Sequence, residues 1–209
     1  MALVLNPDAD MLKPFVVRFL LTSALAAATL CARAVEVDVV KCAPGVDPET
    51  ISVLARELSN VEPFALTPFG GETLPYANPA DAAAVLADKK NSPEGGWLIG
   101  LLQVNVKTVE KAGLRPEDAL EPCTNLRLAA QELKACFKTR AVEQTDDKLR
   151  PLLACFFATR MPEKDMEDRI QSVIDRVRPT VPSLSSLMQP KPEAPLVFKV
   201  EKPEQSLIF

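Results

Sequence analysis

The chain has 209 residues, no histidine, one Trp and one Tyr. Without histidine there is no Ser-His-Asp triad, no Cys-His nucleophile pair and no His-ligated metal site. Acid-base chemistry is left to carboxylates, Lys, Tyr or Cys. A formal charge of −4 and the lack of a local basic patch argue against nucleic acid as a partner. Hydrophobic residues at 47% and charged residues at 25% describe an ordinary globular protein.

Long apolar runs are also missing. The best is Phe19–Leu30, twelve uncharged residues preceded by Lys13 and Arg18 and followed by Ala32-Arg33-Ala34. This falls short of the ~20 apolar residues of a membrane-spanning helix. It reads as a signal peptide over residues 1–34, with a small-x-small site cleaved after Ala34 and no stable membrane anchor. Asp8 and Asp10 do not suit a positive leader, and Met11 is an alternative start. Cys31 lacks the apolar residue three places upstream that lipid attachment needs. The protein is therefore expected in the periplasm. Cys42, Cys123, Cys136 and Cys155 then remain, an even number in an oxidising compartment. Three pairings are open, and Cys42 with Cys123 and Cys136 with Cys155 is the one we favour. No spacing suggests a metal site, and no cofactor is expected.

Residues 35–178 suffice for one domain. Residues 179–209 hold six of the nineteen prolines and no glycine, the composition of an extended, disordered tail. Within that tail, Leu196–Val200 is the one stretch able to pair as a strand.

The domain reads as mainly α. Asp47-Pro48 opens a helix with Ile51, Leu54, Ala55 and Leu58 on one face. Asn78-Pro79 caps a helix running to Lys89. Val104 to Ala112 forms a short helix closed by Gly113. Thr124 caps a longer one to Lys138. Leu149 to Ala158 is helical, with Pro151 in the first turn. A last helix starts near Glu163, with Met166, Ile170, Val173, Ile174 and Val177 as its apolar stripe. Phe64 to Ala77, with Gly70-Gly71, is a loop or small hairpin.

The string Gly100-Leu101-Leu102-Gln103-Val104-Asn105 is similar to the Gly-Leu-Met-Gln-Ile-Asn signature of lytic transglycosylases with the lysozyme-like fold. Cys42-Ala43-Pro44, Ser59 with Pro63 and Ala65, and Glu121-Pro122-Cys123-Thr124-Asn125-Leu126 extend the likeness. Together these resemble the transglycosylases that accompany type IV secretion and conjugation systems, over about Cys42 to Val177. The resemblance implies a lysozyme-like α+β domain that cuts the β-1,4 bond between N-acetylmuramic acid and N-acetylglucosamine, leaving a 1,6-anhydro end. The implied partners are peptidoglycan glycan strands and secretion-system subunits. One carboxyl would serve as acid and then base, since the nucleophile is the sugar's own 6-hydroxyl.

Two departures bear on that chemistry. The family's catalytic Glu immediately precedes a Ser, and here Leu58 precedes Ser59. Glu57 stands one residue earlier, turned ~100° round the helix. It is the one candidate acid nearby, although a solvated surface glutamate is the simpler reading. Where relatives carry a Tyr-Tyr-Ser-Gly-Asn-like stretch, this chain has Phe156-Phe157-Ala158-Thr159-Arg160. Ser59, Gln103, Asn105, Phe156 and Phe157 are the expected substrate contacts, although Gln103 and Asn105 could equally tie their loop to its own backbone. The leading expectation is a degenerate, weakly active or inactive glycan-binding relative. The alternatives are an active enzyme using Glu57 and a structural component that works through its tail.

Overall fold

The computed structural model describes residues 35–88, 92–140, 149–177 and 197–200. The expected leader with its cleavage point, and most of the tail, lie outside the described residues. The first element is strand β1 (Val35–Asp38), which continues into the one-turn helix α1 (Val39–Cys42).

Helix α2 (Pro48–Ser59) starts where its sequence requires. The Asp47 carboxylate accepts hydrogen bonds from the Thr50 backbone N–H at 2.7 Å and the Thr50 hydroxyl at 2.8 Å, and Pro48 fills the first turn. Ile51, Leu54, Ala55 and Ser59 are buried, whereas Leu58, expected on the same face, is only half-buried. The helix ends with two consecutive non-glycine residues in the left-handed region, Asn60 (φ 53°) and Val61 (φ 65°), the second of them β-branched.

Three short strands form an antiparallel sheet in the order β2 (Leu66–Pro68), β3 (Trp97–Ile99), β4 (Val104–Asn105). Leu66 lies opposite Ile99, and Ile99 opposite Val104. The segment Phe64 to Ala77, expected as a loop or small hairpin, is a loop closed by a Leu66–Leu74 bridge, and β2 takes its full partner from β3. Between β2 and β3 runs α3 (Pro79–Ala87), with the Asn78 side chain accepting from the Asp81 N–H at 3.0 Å. The helix ends at Ala87 with Asp88 as its cap, short of the expected Lys89, which lies outside the described residues.

The helix expected from Val104 is shorter, α4 (Val106–Lys111), because Val104 and Asn105 pair with β3 and Asn105 becomes the cap. A 3-10 turn (Pro116–Leu120) leads to α5 (Pro122–Arg140). Glu121, not Thr124, caps α5: its carboxylate accepts from the N–H groups of Cys123 (2.9 Å) and Thr124 (2.6 Å). Burial pushes the Glu121 carboxyl up, but hydrogen bonds from Thr124 and Cys123, with Arg127 nearby, outweigh it and hold it below the usual range. Then come α6 (Leu149–Phe157), with Pro151 in its first turn as expected, a 3-10 turn (Glu163–Asp165) and α7 (Met166–Val177). Ile170, Val173, Ile174 and Val177 of α7 are buried, and the helix packs on α2 and α6.

Disulfides join Cys42 to Cys123 and Cys136 to Cys155, the favoured pairing. They fasten α1 to the start of α5 and α5 to α6. In the tail, Val197–Val200 forms β5, antiparallel to β1 with Val35 opposite Val200 and Glu36 opposite Lys199. The stretch that could pair as a strand therefore pairs within the chain. Among the described residues no helix is long and apolar enough to cross a membrane. The whole is mainly α with a small antiparallel sheet, the α+β layout of a lysozyme-like domain.

Candidate functional site

A cleft of about 200 Å³ opens between the end of α2, the β2–β3 side of the sheet, and the segment joining α6 to α7. Glu57 and Leu58 form one wall, Gln103 another, and Met161, Pro162, Asp165 and Arg169 a third. The signature residues and the end of α2 thus meet at one place.

Gln103 sits in the β3–β4 turn, which is built for a close backbone approach. Gly100 has φ 74°, and a Cβ there would lie 2.6 Å from Asn125 Nδ2. Asn125, from α5, holds the turn at two points, donating to the Ile99 carbonyl (2.7 Å) and accepting from Leu102 N–H (2.8 Å), and donates also to the Ala119 carbonyl (3.0 Å) of the preceding 3-10 turn. Gln103 itself takes φ 48° and is 2% exposed. Its Nε2 donates to the Gly100 carbonyl at 2.8 Å, which fixes the amide orientation and leaves Oε1 buried without a partner. A buried acceptor without a donor is costly, so this atom is suited to a donor arriving from the cleft.

The other expected contacts are spent on the fold. Ser59 is 3% exposed, and its hydroxyl lies 3.0 Å from the Ala55 carbonyl and 2.8 Å from that of Leu101. It ties α2 to the Gln103 turn. Asn105 accepts from Lys107 N–H at 2.9 Å and donates to the carbonyls of Gly95 (3.3 Å) and Thr159 (3.1 Å). Phe156 and Phe157 are 1% and 0% exposed, so their rings belong to the core and are not faces for a sugar.

Glu57 is not a solvated surface residue; its side chain is 8% exposed. Helix α7 packs across it and presents one face: Arg176 pairs with Glu57 Oε1 at 2.8 Å, Ser172 donates to the same oxygen at 3.2 Å, and Arg169 lies 3.6 Å from Oε2. Arg169 also donates to the Glu57 backbone carbonyl at 2.7 Å. Leu58 lines the cleft without a polar group to offer. Arg169 and Arg176 are seven apart, one helical face, a spacing the sequence displayed without naming the partner.

The residue that sequence reasoning undervalued is Arg160. It is fully buried, its guanidinium lies 3.6 Å from the Phe156 ring centroid, and it pairs with Glu132 at 2.5 Å. Burial pulls its pKa below the usual arginine value, and the Glu132 carboxylate opposes that shift. Glu132 accepts in addition from the Thr108 hydroxyl at 2.8 Å, so the network joins α4, α5 and the end of α6.

The fold around this cleft is mainly α with a small sheet, the lysozyme-like α+β layout expected from the Gly100–Asn105 string. The chain is similar to the protein virB1 of Agrobacterium fabrum, 37% identical over 94 residues, which cover 44% of this chain and 38% of that protein. It is also similar to the type IV secretion system protein virB1 of Brucella suis biovar 1, 27% identical over 121 residues (56% of this chain, 51% of that protein). The protein virB1 of Rhizobium radiobacter is 33% identical over 99 residues (46% and 40%). The matches thus span about half or less of these curated relatives. No family model matches the chain, and no solved structure matches it.

Proposed function

We propose that this chain is an exported component of a type IV secretion system that docks on peptidoglycan glycan strands through its cleft and cleaves them weakly or not at all. The observation that carries the reading is Leu58 in the cleft wall beside Gln103, while the adjacent Glu57 carboxylate is engaged by Arg176 and Ser172. Lytic transglycosylation asks one side chain to give a proton to the leaving oxygen and take one from the 6-hydroxyl. A hydrocarbon does neither, and such assistance is worth about 10²–10⁴ in rate. Gln103 Oε1 keeps an acceptor for an acetamido N–H or a sugar hydroxyl. Similarity to a protein described as part of a type IV secretion system supports the setting. The leader-like first 34 residues and two disulfides suit the periplasm.

Co-sedimentation with purified sacculi, followed by mass spectrometry of the soluble products, tests this. The chain is expected to pellet with sacculi and to release little or no 1,6-anhydromuropeptide. Abundant 1,6-anhydro products that vanish in Glu57→Gln would establish the active alternative, which the presence of Glu57 in the cleft lining favours. Failure to pellet would remove the glycan reading altogether.

A further inference from the structure

Two walls of the cleft are tied together through a single guanidinium. Each nitrogen of Arg160 has a fixed acceptor. Nε donates to the Leu102 carbonyl at 2.9 Å, Nη1 to the Phe156 carbonyl at 2.7 Å and to Thr159 Oγ1 at 2.9 Å, and Nη2 to Glu132. The residues next to the ends of this span face the cleft: Gln103 follows Leu102, and Met161 and Pro162 follow Arg160. Asn105 adds a parallel tie to the Thr159 carbonyl. A planar guanidinium making four hydrogen bonds in a closed site acts as a spacer of fixed length. Gln103 Oε1, buried and without a partner, meets a ligand only where its turn holds it.

We propose that Arg160 is a positioning residue for glycan recognition: by gripping the Leu102 carbonyl it sets where Gln103 Oε1 accepts a hydrogen bond from an N-acetylated sugar. The inference rests on the glycan reading above. It also narrows the ligand. Because one Nε2 hydrogen is taken by the Gly100 carbonyl, the amide is oriented with Oε1 as the open acceptor, and a ligand that meets this atom brings an N–H or O–H to that point. The arrangement belongs to this sequence, since Arg160 stands at the end of the stretch that departs from the resembled pattern, and its guanidinium lies over the ring of Phe156, another of the altered residues.

The test is the affinity of the full chain for tetra-N-acetylchitotetraose by titration calorimetry, in the wild type, Arg160→Lys, Gln103→Ala and the double variant. Lysine keeps a cation for Glu132 but cannot bridge the Leu102 and Phe156 carbonyls together. Arg160→Lys should weaken binding about tenfold, equivalent to about 1.4 kcal/mol, and shift the Gln103 side-chain amide resonances in the NMR spectrum. In the Gln103→Ala background it should add less than about twofold, the signature of action through that residue. Glu132→Gln, which leaves the guanidinium without its carboxylate, should weaken binding in the same Gln103-dependent way and serves if the lysine variant does not fold. Binding by Arg160→Lys within about twofold of wild type, or penalties that multiply with those of Gln103→Ala, would overturn the proposal. If Gln103→Ala binds as well as the wild type, this inference alone falls; if the wild type binds no oligosaccharide, the glycan reading itself falls and takes this inference with it, a pattern distinct from the others.

Discussion

The Gly100–Asn105 turn and the end of α2 face the same cleft and differ in what they retain. The turn carries the string that is similar to the transglycosylase signature, and nearly all its polar groups are engaged by Ser59, Asn125, Arg160 or its own backbone. The end of α2 keeps Ser59, which the fold needs, while Leu58 occupies the position expected to hold the acid. The contrast teaches that residues building a backbone shape are bound to several elements at once. A reactive side chain projecting into a cleft is bound to none of them, and its loss leaves the fold in place.

The largest expected effect comes from reversing the difference. Leu58→Glu should raise release of 1,6-anhydromuropeptides from sacculi by about 10²-fold, the lower end of what acid-base assistance contributes, since no tyrosine is among the described residues lining the cleft. An unchanged rate would mean that a carboxyl at this position is not what limits cleavage. Disturbing the retained side comes next. Gly100→Ala drives a methyl to 2.6 Å from Asn125 Nδ2 at φ 74°, and overpacking with left-handed strain should cost about 2–4 kcal/mol in urea denaturation. Glu57→Gln is the third, removing the charge that Arg176 and Arg169 share. Both arginines are about half exposed, so the loss should be about 1 kcal/mol in the same assay. A substantially larger loss of wall-cleaving activity than of stability would give Glu57 a chemical role.

The smallest effect concerns the support beneath the turn. Glu121 caps the helix that carries Asn125, and its carboxyl sits below the usual range when folded. A depressed folded pKa gives stability that is present above the unfolded value, near 4.5, and is lost as pH falls through the folded value. Wild type should therefore lose about 0.5 kcal/mol relative to Glu121→Gln between neutral pH and strong acid, the scale of one carboxylate charge at a helix N-terminus. Parallel stability curves for the two proteins would show that the cap carries no linkage.

Much of the frame was legible in the sequence because its signals are local. Asp47-Pro48 and Asn78-Pro79 start helices through caps that need only neighbours, and α7 shows its stripe directly. What was not legible depended on distant partners. Val104-Asn105 became a strand because β3 was available to pair. Thr124 yielded the cap to Glu121, whose longer side chain reaches back over Pro122. Phe156 and Phe157 turned inward, beside an arginine whose carboxylate partner lies 28 residues away in α5. Glu57 appeared solvated because nothing in α2 predicts which helix crosses it. The Gly100 to Asn105 string located the cleft, but only coordinates separate Gln103, with its open oxygen, from Asn105, whose groups are all in use.

Val61 holds a conformation that few β-branched residues adopt, three positions after Leu58. Keeping such a residue there forgoes about 1–3 kcal/mol. Introducing a carboxyl into a half-enclosed apolar wall costs about the same. Relaxing the corner with Val61→Gly therefore creates the thermodynamic headroom that Leu58→Glu consumes, less the packing that Val61 itself provides. Placing a carboxyl at this point of the cleft, by selection or by design, is then easiest along a path in which the corner changes before the acid arrives.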